Sequence, residues 1–184
     1  MPNLEPLEKF KSKSGKEIEI WLPTLDRVDA LLEFINRLTA EDTFLSFTGE
    51  PKTLIEEEHW IKSAISNIRS GRSFAVWAIF DGKIVGFADV NRGGTRDFHV
   101  GKIGLMVDKD YRREGIGKFL LEFILKKSKQ MNIKIAVLDI FGDNEVGLSL
   151  YKKLGFKEYA RLPKGFHRQK KYSDAIGMYR NLEI

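Results

Sequence analysis

With 184 residues, 42% of them hydrophobic and 31% charged, the chain has the size of one compact domain. It contains no Cys, which excludes disulfides, thiolate metal sites and a cysteine nucleophile, and its three histidines, His59, His99 and His167, share no metal-ligand spacing. The longest uncharged apolar run, 74–80, has a strand's length, and the N-terminus lacks the apolar core of a secretory signal. The expectation is a cytoplasmic protein with no metal and no membrane partner.

The net charge of +5 is unevenly placed. Residues 1–92 carry 12 Lys and Arg against 15 Asp and Glu, whereas residues 93–184 carry 19 against 11. Such a chain can hold a polyanion with its second half and a cation with its first.

Residues 1–16 are polar, Lys-rich and weakly periodic, and read as a lead-in to a single domain over 17–184. Residues 17–22 alternate as a strand does. Asp26 then caps a helix in which Val28, Leu31, Leu32, Ile35 and Leu38 recur at helical spacing. A Gly- and Pro-containing connector over 39–52 leads to a second helix over 53–69. Three strands follow, 73–80, 83–90 and 98–107, with tight turns at Asp81-Gly82 and at 92–96. Ile116, Phe119, Leu120, Phe123, Ile124 and Met131 mark an amphipathic helix over 116–131. A strand over 134–141, a helix over 144–154 stopped by Gly155, and strands over 156–161 and 175–182 around a basic loop complete the chain. The order β-α-α-β-β-β-α-β-α-β-β predicts an α/β fold of the α+β type, one mixed sheet covered by helices.

The segment Val107-Asp-Lys-Asp-Tyr-Arg112-Arg113-Glu114-Gly115-Ile116-Gly117-Lys118 carries the strongest chemistry. A strand ends there, and two glycines bracket the first turn of a long helix, where unpaired N–H groups and the helix dipole favour an anion. Arg112, Arg113 and Lys118 add charge. A P-loop is excluded because Arg112 stands at its first Gly and Phe119 at its Ser/Thr, and the dinucleotide fingerprint is excluded because Leu120 stands at its third Gly.

Arg112-x-x-Gly115-x-Gly117 after an apolar strand resembles the acyl-CoA pyrophosphate loop of the GNAT superfamily of N-acyltransferases. The downstream Asn144-Glu-Val-Gly-Leu-Ser-Leu150-Tyr151-Lys-Lys-Leu-Gly155-Phe156 resembles that family's second signature, and Tyr172-x-Asp174-x-x-x-Met178 resembles a common family ending. The resemblance covers about residues 17–182 and implies a sheet splayed at its centre, with acetyl-CoA as cosubstrate. It implies that the backbone of Leu105, Met106 and Val107 pairs with the pantetheine arm, one N–H holding the oxyanion. It places the pyrophosphate on the amides of Arg113, Glu114, Gly115, Ile116, Gly117 and Lys118. Asn144 either caps its helix or reaches the pantetheine, and Tyr151 is either core or the general acid for the departing thiolate.

Many family members carry a Glu six residues before position 107, where this chain has Gly101. If the hairpin at 92–96 pairs residue 89 with 99 or 101, Asp89 projects over that place and can drain the amine's proton, alone or through His99. The acceptor side is expected from the first two helices, their connector and the late hairpin. There Glu41, Asp42, Glu50, Glu56, Glu57 and Glu58 form a carboxylate-rich rim, and Phe44, Phe47 and Trp60 line either a groove or the core. The acceptor is then a primary amine: a small amine, a polyamine or a protein N-terminus. The competing reading is a basic module that senses acyl-CoA or docks on RNA without turnover, although no RNA-recognition motif is visible. A homodimer is left open.

Overall fold

The computed structural model describes residues 5–41, 44–45, 50–168 and 170–183. In chain order they form β1 (Glu8–Lys11), β2 (Glu17–Trp21), α1 (Val28–Glu41), α2 (Leu54–Arg69), β3 (Ser73–Phe80), β4 (Lys83–Arg92), β5 (Val100–Val107), α3 (Ile116–Gln130), β6 (Ile135–Phe141), α4 (Glu145–Lys153), β7 (Lys157–Arg168) and β8 (Lys171–Asn181). The eight strands make one sheet in the order β1-β2-β3-β4-β5-β6-β8-β7, antiparallel at each junction except β5–β6.

Strand alternation sends side chains to two cores. Val76, Ala88, Val90 and Ile103 face α3, where Leu120, Leu121 and Ile124 are fully buried. Trp77, Ile79 and Phe87 face the other way, onto Leu31, Phe34 and Leu38 of α1 and Ile61 of α2. The α2 helix begins on a capping box, with Thr53 and Glu56 each bonding the other's backbone N–H, so its start is fixed by sequence alone.

The sheet splits in its middle. β5 and β6 pair over only three residues, Val100–Lys102 against Ile135–Val137. Beyond them β5 stays on β4 and β6 stays on β8. The backbone edge of residues 103–107 is thereby left open on the β6 side, and the start of α3 lies across the mouth of the gap.

Two expectations need correction. Residues 8–11 of the polar lead-in form β1, paired with β2 from Glu8↔Ile20 to Lys11↔Glu17, because Phe10 stacks on Phe119 of α3 at 3.9 Å between ring centres. The basic loop expected over 161–172 is instead the far half of a long hairpin, β7 running to Arg168 and β8 starting at Lys171. β7 is a sheet edge with almost every residue exposed, so no apolar alternation marks it, and Lys, Arg and Pro163 suit such an edge.

Candidate active site

Gly115 takes φ +90° as the residue before α3, and Arg113 takes φ +65° two residues earlier. Left-handed steps between right-handed ones are the backbone geometry that gathers neighbouring amides around an anion. No protein acceptor meets the N–H groups of residues 113–118 among the described residues, and the first intrahelical bond of α3 is Phe119 N–H to the Gly115 carbonyl. Six adjacent donors at a helix N-terminus make a cup for an anion. A Cβ on Gly117 would lie 3.5 Å from Val107, 3.7 Å from Leu150 and 3.9 Å from Leu105, so this glycine sits where β5, α3 and α4 converge below the split.

Two loop side chains face away from the cup. The Glu114 carboxylate accepts from the Ser14 N–H at 2.9 Å and pairs with Lys16, while the Glu114 carbonyl accepts from the Lys13 N–H. The Ser14 backbone bond, with the Ser14 and Lys16 side chains behind it, draws the Glu114 pKa down to about 2. Arg112 donates Nε to the Val107 carbonyl at 3.1 Å and both terminal nitrogens to Glu41 of α1. Its charge was expected on the phosphates; the guanidinium is committed elsewhere, which leaves the exposed Arg113 and Lys118 beside the amides.

Tyr151 packs edge-on against Phe156 at 5.6 Å, and its hydroxyl has no protein partner among the described residues. Desolvation pushes its pKa up to about 12, so the phenol keeps its proton. Asn144 is the N-cap of α4, its Oδ1 accepting from the Gly147 N–H at 2.9 Å.

The expected hairpin register is corrected. Asp89 pairs with Gly104, and Gly101 pairs with Arg92. Gly101 therefore faces the α3 core, where an added Cβ would meet Val90 at 2.7 Å and Ile133 at 2.9 Å, whereas Asp89 lies on the opposite face. His99 precedes β5, five residues from Gly104, about 17 Å at strand rise, so it cannot relay a proton for Asp89. The Asp89 carboxylate instead lies on Gly104 itself: a Cβ there would be 2.2 Å from Oδ1. It accepts from Asn91 Nδ2 at 2.6 Å and from the Gly104 N–H, yet burial lifts its pKa to about 6. Gly104 lies within the open stretch of β5. Sequence reading named Asp89 but missed Gly104, whose only signal is the lack of a side chain.

The carboxylate rim is mostly engaged. Glu41 holds Arg112, Glu56 caps α2, and Glu58 pairs with Lys62. Glu57 is buried, which raises its pKa. Asp42 and Phe47 lie outside the described residues. Phe44 meets Phe141 edge-on at 5.7 Å, Phe141 stacks on Phe166 at 4.2 Å, and Arg168 covers Phe44. The connector, the end of β6 and the late hairpin thus form one aromatic wall. Trp60 packs on Phe87 instead.

The split in the mixed sheet sets an open strand edge near the row of unbonded amides at 113–118, a place for an anionic ligand. The pattern of the acetyltransferase (GNAT) family matches residues 32–156, more than half of the chain. The chain belongs to that family, and so to the acyltransferases. It is 34% identical over 83 residues to N-alpha-acetyltransferase 30 of Schizosaccharomyces pombe, spanning 45% of this chain and 54% of that relative, about half its length. It is 27% identical over 164 residues to an N-alpha-acetyltransferase of Sulfurisphaera tokodaii, covering 83% of this chain and 87% of the other. The fold is similar to that of a Salmonella typhimurium protein described as an acetyltransferase and solved with its cofactor acetyl-CoA, with a TM-score of 0.78 at 15% identity over 90% of this chain and 94% of that one. Among the described residues no helix is long and apolar enough to cross a membrane.

Proposed function

We propose that the chain transfers the acetyl group of acetyl-CoA to a primary amine, the α-amine of a polypeptide, by direct attack in a ternary complex. The observation that carries the reading is the open edge of β5 standing directly above the six free amides at 113–118. The diphosphate of the donor fits the amides, and its amide-containing pantetheine arm fits the edge at Leu105 as an added strand, whereas the expected pairing at Met106 is lost because that residue turns its N–H and C=O to β4. The Val107 carbonyl is already bonded to Arg112, so pairing there is limited to its N–H.

The chemistry needs a neutral amine, an oxyanion donor and an acid. Asp89, with its pKa near 6 and its place on Gly104, is the group that takes the ammonium proton, directly or through a water. A β5 N–H polarises the thioester carbonyl. Tyr151 protonates the thiolate as the C–S bond breaks, and its raised pKa keeps that proton in place until then.

A polypeptide terminus is favoured over a polyamine because three carboxylates of the expected acidic rim are engaged, Glu41 by Arg112, Glu58 by Lys62 and Glu56 by the α2 cap, and Glu57 is buried. The aromatic wall of Phe44, Phe141 and Phe166 suits a chain with side chains. Both curated relatives named above carry N-alpha-acetyltransferase names. The test is thiol release from acetyl-CoA with a panel of N-terminal peptides against spermidine and free amino acids. Peptides should give the highest kcat/KM, with the lysine-free members modified as well as the others. Faster turnover with spermidine would overturn the acceptor assignment.

A further inference from the structure

The C-terminal half of α1 touches both substrates' territories at once. Arg37 and Glu41 stand one helical turn apart on one face of α1. Opposite them, at the same spacing of four, stand Asp108 and Arg112 of the β5–α3 loop, with the charges reversed. Arg37 Nε donates to Asp108 Oδ2 at 2.8 Å, and Arg37 also donates to the Ile84 carbonyl at 3.2 Å. Asp108 is only 3% exposed, and its other oxygen accepts from the Asp110 N–H, so this pair roots the loop. Glu41 takes both terminal nitrogens of Arg112, one at 2.8 Å, in a two-pronged bond that fixes orientation as well as distance.

On the same stretch of helix, Asn36 grips the far side of the acceptor connector. Its Oδ1 accepts from the Lys52 N–H at 2.7 Å and its Nδ2 donates to the Lys52 carbonyl at 3.1 Å. Lys52 stands immediately before Thr53, the cap of α2. Within six residues, α1 therefore binds the anion loop through Arg37 and Glu41 and the end of the connector through Asn36.

We propose that α1 is a positioning bridge, and that Glu41, through Arg112, passes the occupancy of the acyl-donor loop to the acceptor connector. The proposal rests on the acetyl-CoA reading of the loop. Arg112 is the link between loop and helix, because its three donor nitrogens are spent on Glu41 and Val107. A diphosphate that immobilises residues 113–118 immobilises Arg112 with them, and through Glu41 the end of α1. Fluctuations that open the Asn36–Lys52 pair then become rarer, a coupling that needs no change of mean structure.

Amide hydrogen exchange with coenzyme A as the probe tests this in the full chain. In the wild type, saturating coenzyme A should slow exchange both over 113–118 and at the Lys52 N–H, the latter by about fivefold or more. In Glu41→Gln, which removes one partner of a partly exposed pair, protection over 113–118 should persist while the effect at Lys52 falls below twofold. Glu33→Gln loses only an exposed contact with Arg37, 3.6 Å long, and should behave as the wild type. Equal slowing at Lys52 in wild type and Glu41→Gln would overturn the bridge, as would no slowing at Lys52 in the wild type. No protection over 113–118 in the wild type would overturn the donor site itself, and the bridge with it.

Discussion

Asp89 titrates where its surroundings put it, and the sign of that shift makes two separate predictions. An aspartate normally loses its proton near 3.8; here burial outweighs the Asn91 and Gly104 hydrogen bonds and raises the value to about 6. Activity that needs the carboxylate should rise with pH through about 6, and Asp89→Asn should lose that ascending limb of kcat/KM along with most of the turnover. Stability runs the opposite way. The native state holds the proton more tightly than the unfolded chain, so the stabilisation is complete below about 4 and is lost as pH rises through 6. Asp89→Asn should therefore be more stable than the wild type at pH 8, by up to about 3 kcal/mol, with no such gain at pH 4. Urea unfolding at the two pH values measures it, and an equal effect at both would show that the carboxylate is not strained by burial. Tyr151 carries a complementary test. Its phenol stays protonated across the working range. Tyr151→Phe should lower kcat by about 10²-fold while leaving coenzyme A affinity within twofold, since the ring packing on Phe156 survives.

At the scale of elements, the β1–β2 hairpin shows what one sequence conceals. The four helices are legible because each has an apolar stripe, and Thr53, Asn144 and Gly155 mark ends as read; the cap expected at Asp26 is not observed, because Leu25–Arg27 form a 3-10 turn ahead of α1. The strand-to-helix junction before α3 is legible because Gly115 and Gly117 stand at it. β1 is illegible: Glu8, Lys9 and Lys11 are exposed, and the one inward residue, Phe10, finds its partner 109 residues later. The register of Asp89 is illegible for a related reason, since the turn over 93–99 is longer than a tight hairpin and sets no fixed pairing. Yet that hairpin bears on function. Its turn holds Glu114 by the Ser14 N–H, the Lys13 N–H and Lys16, turning an acidic side chain away from the amide cup. Replacing Phe10 by Ala removes the stack on Phe119 and loosens this clamp. The expected result is a three- to tenfold rise in the Kd of coenzyme A by calorimetry, with the acceptor KM unchanged at saturating donor. A variant that binds as tightly as the wild type would show that the loop holds its shape without the hairpin.

At the scale of the whole molecule the excess positive charge belongs to the second half of the chain, 19 Lys and Arg against 11 Asp and Glu, but much of it is already spent. Along the late hairpin Arg161 lies between Glu158 and Asp174, and Arg168 meets Asp143. Near the cup, Arg112 is bound to Glu41 and Lys16 to Glu114, which leaves Arg113 and Lys118 as the loop's cations toward the donor, and Lys118 is itself 3.7 Å from Glu122. On the proposed reading the cup holds its anion mainly through N–H groups, whose hydrogen bonds survive salt far better than the attraction of surface charges does. A surface built to bind a nucleic acid would behave differently, losing about 10³-fold or more in affinity between 50 and 200 mM salt through counterion release at six or more phosphates. Over the same interval the Kd of acetyl-CoA should rise by no more than about threefold, because the screening length shortens only from about 14 to 7 Å while the N–H contacts remain. Calorimetric titration at a series of NaCl concentrations decides the matter. A steep slope would mean that free charge, rather than the geometry of residues 113–118, holds the donor, and that the basic half of the chain is a polyanion surface in its own right.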